Sequence, residues 1–246
     1  IDPTLCKVAT SSGSVITNSY IRSASPSSTA GTNGFVYCGK SITDNASGSV
    51  MGAVQSFFYI SSLPTLPQNS RIVNASLSLY HSGYHGSGEL IIRAFELTGT
   101  PPAGTTYGNW IKSFTWNNHS AHSSVMLDAV DLTNSTLYEY VNWDITKAVL
   151  SWYRDTSSNK GITLEANDAM NLYAYASFGG YQHSANRPIL FVHYRSTVGV
   201  EPYYSYHTQS VGQAGSGYVA DNNLQLTLMR THLSADSTVN AFALSH

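Results

Sequence analysis

Short apolar–polar alternations, broken every few residues by glycine, proline, asparagine or serine, run along most of this chain. In "NASLSLYH" the residues Ala75, Leu77 and Leu79 fall on one side of an extended backbone and Ser76, Ser78 and Tyr80 on the other, because successive strand side chains point to opposite faces. Similar runs occur at "SYIR" (19–22), "FVYCG" (35–39), "AVQSFFYI" (53–60), "ELIIRAFEL" (89–97), "SVMLD" (124–128), "YEYVNWDI" (138–145), "GITLEA" (161–166), "LYAYASF" (172–178) and "PILFVHYR" (188–195). Strands this short and this regularly spaced predict a sandwich or a barrel. One stretch breaks the rule. In "DITKAVLSWYRD" the residues Ile145, Val149 and Trp152 recur at helical spacing, with Thr146 placed to act as N-cap, so one short helix is expected, covering an end of the sandwich.

Two strands raise the question of which face is which. "PILFVHYR" is apolar on both sides, with Ile189, Phe191 and His193 opposite Leu190, Val192 and Tyr194; it is expected to be central and buried, with Pro188 tolerated at its first position. In "YAYASFGGYQH" the small residues Ala174 and Ala176, with Phe178, suit a tight sheet-to-sheet face, which turns Tyr173 and Tyr175 outward. The opposite assignment, tyrosines in and alanines out, stays open at this point. Among the tryptophans, Trp116 and Trp152 are expected in the core, while Trp110, beside Gly108 and Asn109, reads as a loop residue open to a surface role.

Charged residues make up only 11% of the 246, against about 25% in ordinary soluble domains. The polar surface must therefore be built from Ser, Thr, Asn, Gly and Tyr. A net charge of −2 without any basic block gives a nucleic-acid partner no electrostatic footprint, and no run approaches the ~20 apolar residues of a membrane-spanning helix. The chain begins at Ile1 and ends at His246 inside an apolar run, as expected of a piece excised from a longer protein. Beyond Arg195 the texture changes to a Gly-, Ser- and Tyr-rich linker followed by two strand-like runs, so a boundary is expected between residues 1–195 and 196–246.

Signals for chemistry are sparse. There is no nucleophile elbow, phosphate-binding loop or zinc signature. His81, His85 and Glu89 would align on a helix, but the glycines among them favour a hairpin tip. Asp128 and Asp131 in "LDAVD" are the candidate ligands of a structural calcium, a hard cation that takes clustered oxygens; solvated loop acids or turn caps are the alternative. The two cysteines, Cys6 and Cys38, either form a disulfide or stay separate thiols. No other cofactor is indicated.

An ordered set of segments, "SYIRSASPSSTAGTNGFVYCG", "FFYISSLPTLPQNSRIVNASLSLY", "FTWNN", "WDITKAVLSWYRDTSSNKGITLEAND" and "SANRPILFVHYR", resembles the DNRLRE-domain family over about residues 14–195. Trp143 stands where that family usually has Phe. The tail "GYVADNNLQLTLMRTHLS" resembles the opening of RHS/YD-repeat regions. What the resemblance implies is an all-β, jelly-roll-like antiparallel sandwich with one short helix, followed by a C-terminal β-hairpin that opens the next module. It implies a secreted or cell-surface bacterial protein and a non-catalytic carbohydrate-binding module whose partners are a polysaccharide or glycan and neighbouring modules of the same polypeptide. The expected glycan residues are Tyr173, Tyr175, Tyr181, His183, Tyr84 and Trp110. The alternative is a structural or adhesive spacer of a large RHS-type surface protein, with no small ligand.

Overall fold

The computed structural model describes residues 5–10, 15–29, 34–41, 52–86, 90–167 and 173–195, with 5–10 and Ser41 as backbone alone. In chain order these form β1 (Leu5–Thr10), β2 (Ile16–Arg22), β3 (Phe35–Ser41), β4 (Gly52–Ile60), β5 (Arg71–His85), β6 (Leu90–Leu97), α1 (Tyr107–Lys112), β7 (His122–Leu132), β8 (Tyr140–Asp144), α2 (Thr146–Arg154), β9 (Ile162–Ala166), β10 (Tyr175–Gly179) and β11 (Ile189–Arg195). The linker and hairpin expected over 196–246 lie outside the described residues, as does Glu89.

All the strand pairs are antiparallel and build a β-sandwich. The ladder runs β1-β11-β5-β10-β3-β4-β9-β6-β7, with β2 on the other edge of β4 and β8 on the other edge of β5. The strand β5 links the two layers. Its first part pairs with β11 and β8, and its last residues, from His81 to His85, pair with β10 instead. The expected central place of residues 189–195 is met, since β11 lies between β1 and β5, but the expected burial is met on one face only: Leu190 and Val192 are fully buried, while Ile189, Phe191 and His193 are half-buried on the outer face. At the far end of the ladder the Asp144 backbone N–H donates to Asp128 Oδ2 at 2.7 Å, tying β8 to β7.

The main core follows the alternation. Ala75, Leu77, Leu79, Leu190 and Val192 are fully buried, and Ala176 and Phe178 join them, with the Phe178 ring edge-on to Trp143 at 5.6 Å. Trp143 satisfies its indole by donating to the Ile92 carbonyl at 3.0 Å. Ile145, Val149 and Trp152 carry α2 into this core. The start of α2 differs from expectation: Ile145 is the N-cap residue and makes no side-chain cap bond. The Asp144 carboxylate accepts the Thr146 N–H at 2.8 Å instead. The Thr146 hydroxyl turns to β5, where it accepts from the Ala75 N–H at 2.8 Å. With Ile145 drawn into the core, that hydroxyl serves the strand backbone, whose buried polar groups need partners more than an exposed helix end does.

A second, smaller core gathers Ile21, Phe57, Leu97, Ile111 and Phe114 beneath α1. The sequence does not announce this helix: six residues containing Gly108 and Asn109 are too few for a periodic signal. Its Thr106 N-cap accepts from the Asn109 N–H at 3.3 Å. Trp110 is accordingly a helical residue, half-buried and edge-on to Phe114 at 4.9 Å, and Trp116 packs half-buried at the rim of this cluster rather than inside it.

The disulfide is not formed. Cys38 is a free, buried thiol that donates to the Leu164 carbonyl at 3.4 Å, and burial pushes its pKa strongly up. Cys6 lies on β1, paired with Tyr194, and β11, β5 and β10 separate β1 from β3 in the ladder.

Candidate functional site

The register of β11, β5 and β8 creates a groove on the outer face of one layer. Ser76 sits between Asp144 of β8 and Phe191 of β11, and Ser78 sits between Asn142 and Ile189. Paired residues share a face, so two small serines on the middle strand are flanked by larger side chains on both sides, and a trough follows. Asn74, paired with His193, continues the floor. The resulting cavity measures about 440 Å³ and is lined by Asn74, Ser76, Asp128, Tyr140, Asn142, Asp144, Phe191 and His193. On the other side of Asp144 a second hollow of about 310 Å³ is lined by Met126, Leu127, Thr146, Lys147 and Leu150.

The polar atoms of the groove are held in place by the fold. Ser78, fully buried, donates its hydroxyl to Asn142 Oδ1, which leaves the Asn142 NH₂ as a donor on the exposed side. Asp128 accepts the Ala129 N–H at 2.8 Å through Oδ1 and the Asp144 N–H at 2.7 Å through Oδ2. Asn74 Nδ2 lies 3.3 Å from Thr146 Oγ1 and 3.4 Å from Asp144 Oδ2. Tyr140 stands edge-on to Tyr80 at 5.5 Å and donates to the Arg187 carbonyl at 3.3 Å. Partial burial, followed by the neighbouring Tyr80, raises the Tyr140 pKa above the usual phenol value, so it is a neutral hydroxyl near pH 7. Amide donors, carboxylate acceptors and aromatic rings in one shallow trough make a set that can grip a polyhydroxylated ligand from one side.

None of the glycan residues expected from the sequence lines this groove, and they do not form one strip. Tyr175 is buried at 5% exposure, stacked on His85 at 4.6 Å and beside Tyr37 at 6.3 Å. Its backbone position opposes Ala176 as the alternation required, but neighbouring rings cover it, and a large apolar ring is stabilised by that cover. Tyr173 is the exposed member at 55%, with Lys40 Nζ 5.5 Å from its ring. Tyr181 is half-buried under Lys112 Nζ at 5.0 Å, and its N–H donates to Asn18 Oδ1 at 2.6 Å. His183 shapes its own loop: its Nδ1 accepts from the Asn186 N–H at 3.0 Å, its ring meets Phe35, and Arg187 Nε donates to its carbonyl at 2.9 Å. Tyr84 packs half-buried against the main core, and Trp110 belongs to α1.

The metal expectations also change. Asp128 pairs with Ala94 and Asp131 with Ile91 in one stretch of ladder, and residues three apart on a strand point to opposite faces. These two carboxylates therefore do not converge on one ion. Among the described residues no group of three or more His, Cys, Asp or Glu side chains could hold a metal. His81 and His85 lie on strand β5, not on a helix. His81 is fully buried, its Nδ1 within 3.1 Å of the Thr136 carbonyl, and desolvation lowers its pKa.

The groove could have been suspected from the outward halves of three alternations, "NASLS", "YVNWD" and "FVH", each unusually polar or aromatic. What the sequence could not show is that they are neighbours. Residues 9–194 match the profile of carbohydrate-binding module family 96. No curated protein matches the chain.

Proposed function

The chain belongs to carbohydrate-binding module family 96, and on that premise we propose that it binds an extended glycan non-catalytically along the trough over β5. The observation that carries this reading is the pair of serines, Ser76 and Ser78, sunk between Asp144 and Asn142 on one side and Phe191 and Ile189 on the other. A trough open along its length suits a chain-like ligand, and its amides and carboxylates suit hydroxyl groups. The resemblance to the DNRLRE-domain family and the RHS-like tail support placing the module in a secreted or surface-attached bacterial protein, beside other modules of the same polypeptide. Open sites that trade water for sugar hydroxyls bind weakly, so the dissociation constant is expected nearer millimolar than nanomolar, about −4 to −6 kcal/mol. A glycan array on the full chain, followed by calorimetry, tests the reading. Ser76→Phe should fill the trough and abolish binding while the thermal melt stays unchanged. Equal binding by this variant would move the site elsewhere, and binding to no glycan at all would leave the spacer role.

A further inference from the structure

We infer that the chain forms a symmetric dimer through the hollow between β7 and α2, each copy seating its β7 bulge in the hollow of the other. The inference stands independently of the glycan reading. Two breaks in register disturb the pairing of β7 with β6. Phe95 pairs with Met126 and Leu97 with His122, so Glu96 alone opposes Ser123, Ser124 and Val125. The surplus residues form a bulge, held by a bond from the Val125 N–H to Ser123 Oγ at 3.0 Å. Ser124, Val125 and Met126 are exposed in succession, Val125 at 52% and Met126 at 47%. A bulged edge resists the addition of another strand, so a partner meets this surface through side chains and not by extending the ladder.

Beside the bulge lies its counterpart. The hollow of about 310 Å³ has Met126, Leu127 and Leu150 as its apolar lining, with Asp144 and Lys147 among its polar residues. A projection next to a recess of the same character is self-complementary, because a two-fold axis lays each bulge over the other copy's hollow. The charges agree with this. Asp144 and Lys147 are exposed, opposite in sign and without an ion-pair partner among the described residues; Lys147 acts on the half-buried Glu96 without forming an ion pair with it. The same axis sets Lys147 of one protomer against the partner's Asp144, twice over. A partner of a single sign satisfies one of these charges and repels the other, whereas a second copy satisfies both. A net charge of −2 leaves little mutual repulsion to overcome. One bulge and one hollow make a small interface, so self-association is expected in the micromolar range. A dimer also offers one polysaccharide two modules, and their joint hold exceeds that of either alone.

The experiment is analytical ultracentrifugation of the full chain over a concentration series, with Lys147→Glu, Asp144→Lys and an equimolar mixture of the two. The wild type is expected to dimerise. Each single reversal creates two like-charge contacts across the axis and should weaken self-association about tenfold. In the mixture every charge meets its opposite again, so a heterodimer should form between variants that stay monomeric alone. Thermal melts check folding, since Asp144→Lys removes the acceptor of the Thr146 N–H. Should that variant not fold, Lys147→Glu and Met126→Asp carry the test, and both should dissociate the dimer. A wild type that stays monomeric throughout, a dimer indifferent to these substitutions, or folded variants that fail to pair when mixed would each overturn the inference.

Discussion

Replacing Asn142 by alanine tests the groove and the strand register that builds it in one step. Asn142 is exposed, but the Ser78 hydroxyl that it accepts is fully buried. Two losses are therefore expected, at different places. The NH₂ group on the groove side offers one or two hydrogen bonds to a ligand, and at ~0.5–1.5 kcal/mol each their removal weakens glycan binding by about 0.5–3 kcal/mol, or about two- to 150-fold. In the protein itself the Ser78 hydroxyl loses its acceptor. A buried donor left unpaired costs about 1–3 kcal/mol, which lowers the melting temperature by roughly 2–12 °C at this chain length. The double variant Ser78→Ala/Asn142→Ala separates the two effects. With no orphan hydroxyl remaining, most of the stability should return, while binding should stay weak. Calorimetry and thermal melts on wild type and both variants decide it. Unchanged affinity in Asn142→Ala would take the ligand out of the groove, and a double variant no more stable than the single one would refute the buried-donor argument.

Two further perturbations probe the corrected positions. Tyr175→Ala should cost about 3 kcal/mol of stability, because a buried ring stacked on His85 is removed and large-to-small core changes fall in that range; urea denaturation measures it, and a variant as stable as wild type would return Tyr175 to the surface. The neutral form of His81 is favoured by the fold, so its folded pKa lies below the unfolded value. Its contribution is then fully present above about pH 6.5 and is lost as the pH falls from there through the folded pKa, since the unfolded chain takes up the proton first. Melts at pH 7.5 and 5 should show a drop in melting temperature that shrinks in His81→Gln; an undiminished drop in the variant would assign it to other groups.

The strand content of this protein was set by local sequence. Period-two alternation around Leu77, Leu79, Leu190 and Val192 fixed which side chains enter the core, because a pleated strand offers only two faces and one must be buried. The helical spacing of Ile145, Val149 and Trp152 fixed α2 in the same local way. Three things were decided by tertiary structure alone. The covering of Tyr175 depends on Tyr37 and His85, which come from two other strands. The helix α1 exists because a second core needed Ile111 and Phe114, not because six residues prefer helix. The groove arises where "NASLS", "YVNWD" and "ILFVH" become adjacent, with Ser78 and Asn142 in contact across 64 residues of chain. Alternation tells each strand which face is outward; only the pairing, a long-range choice driven by burial of the opposite faces, tells those outward residues whom they meet.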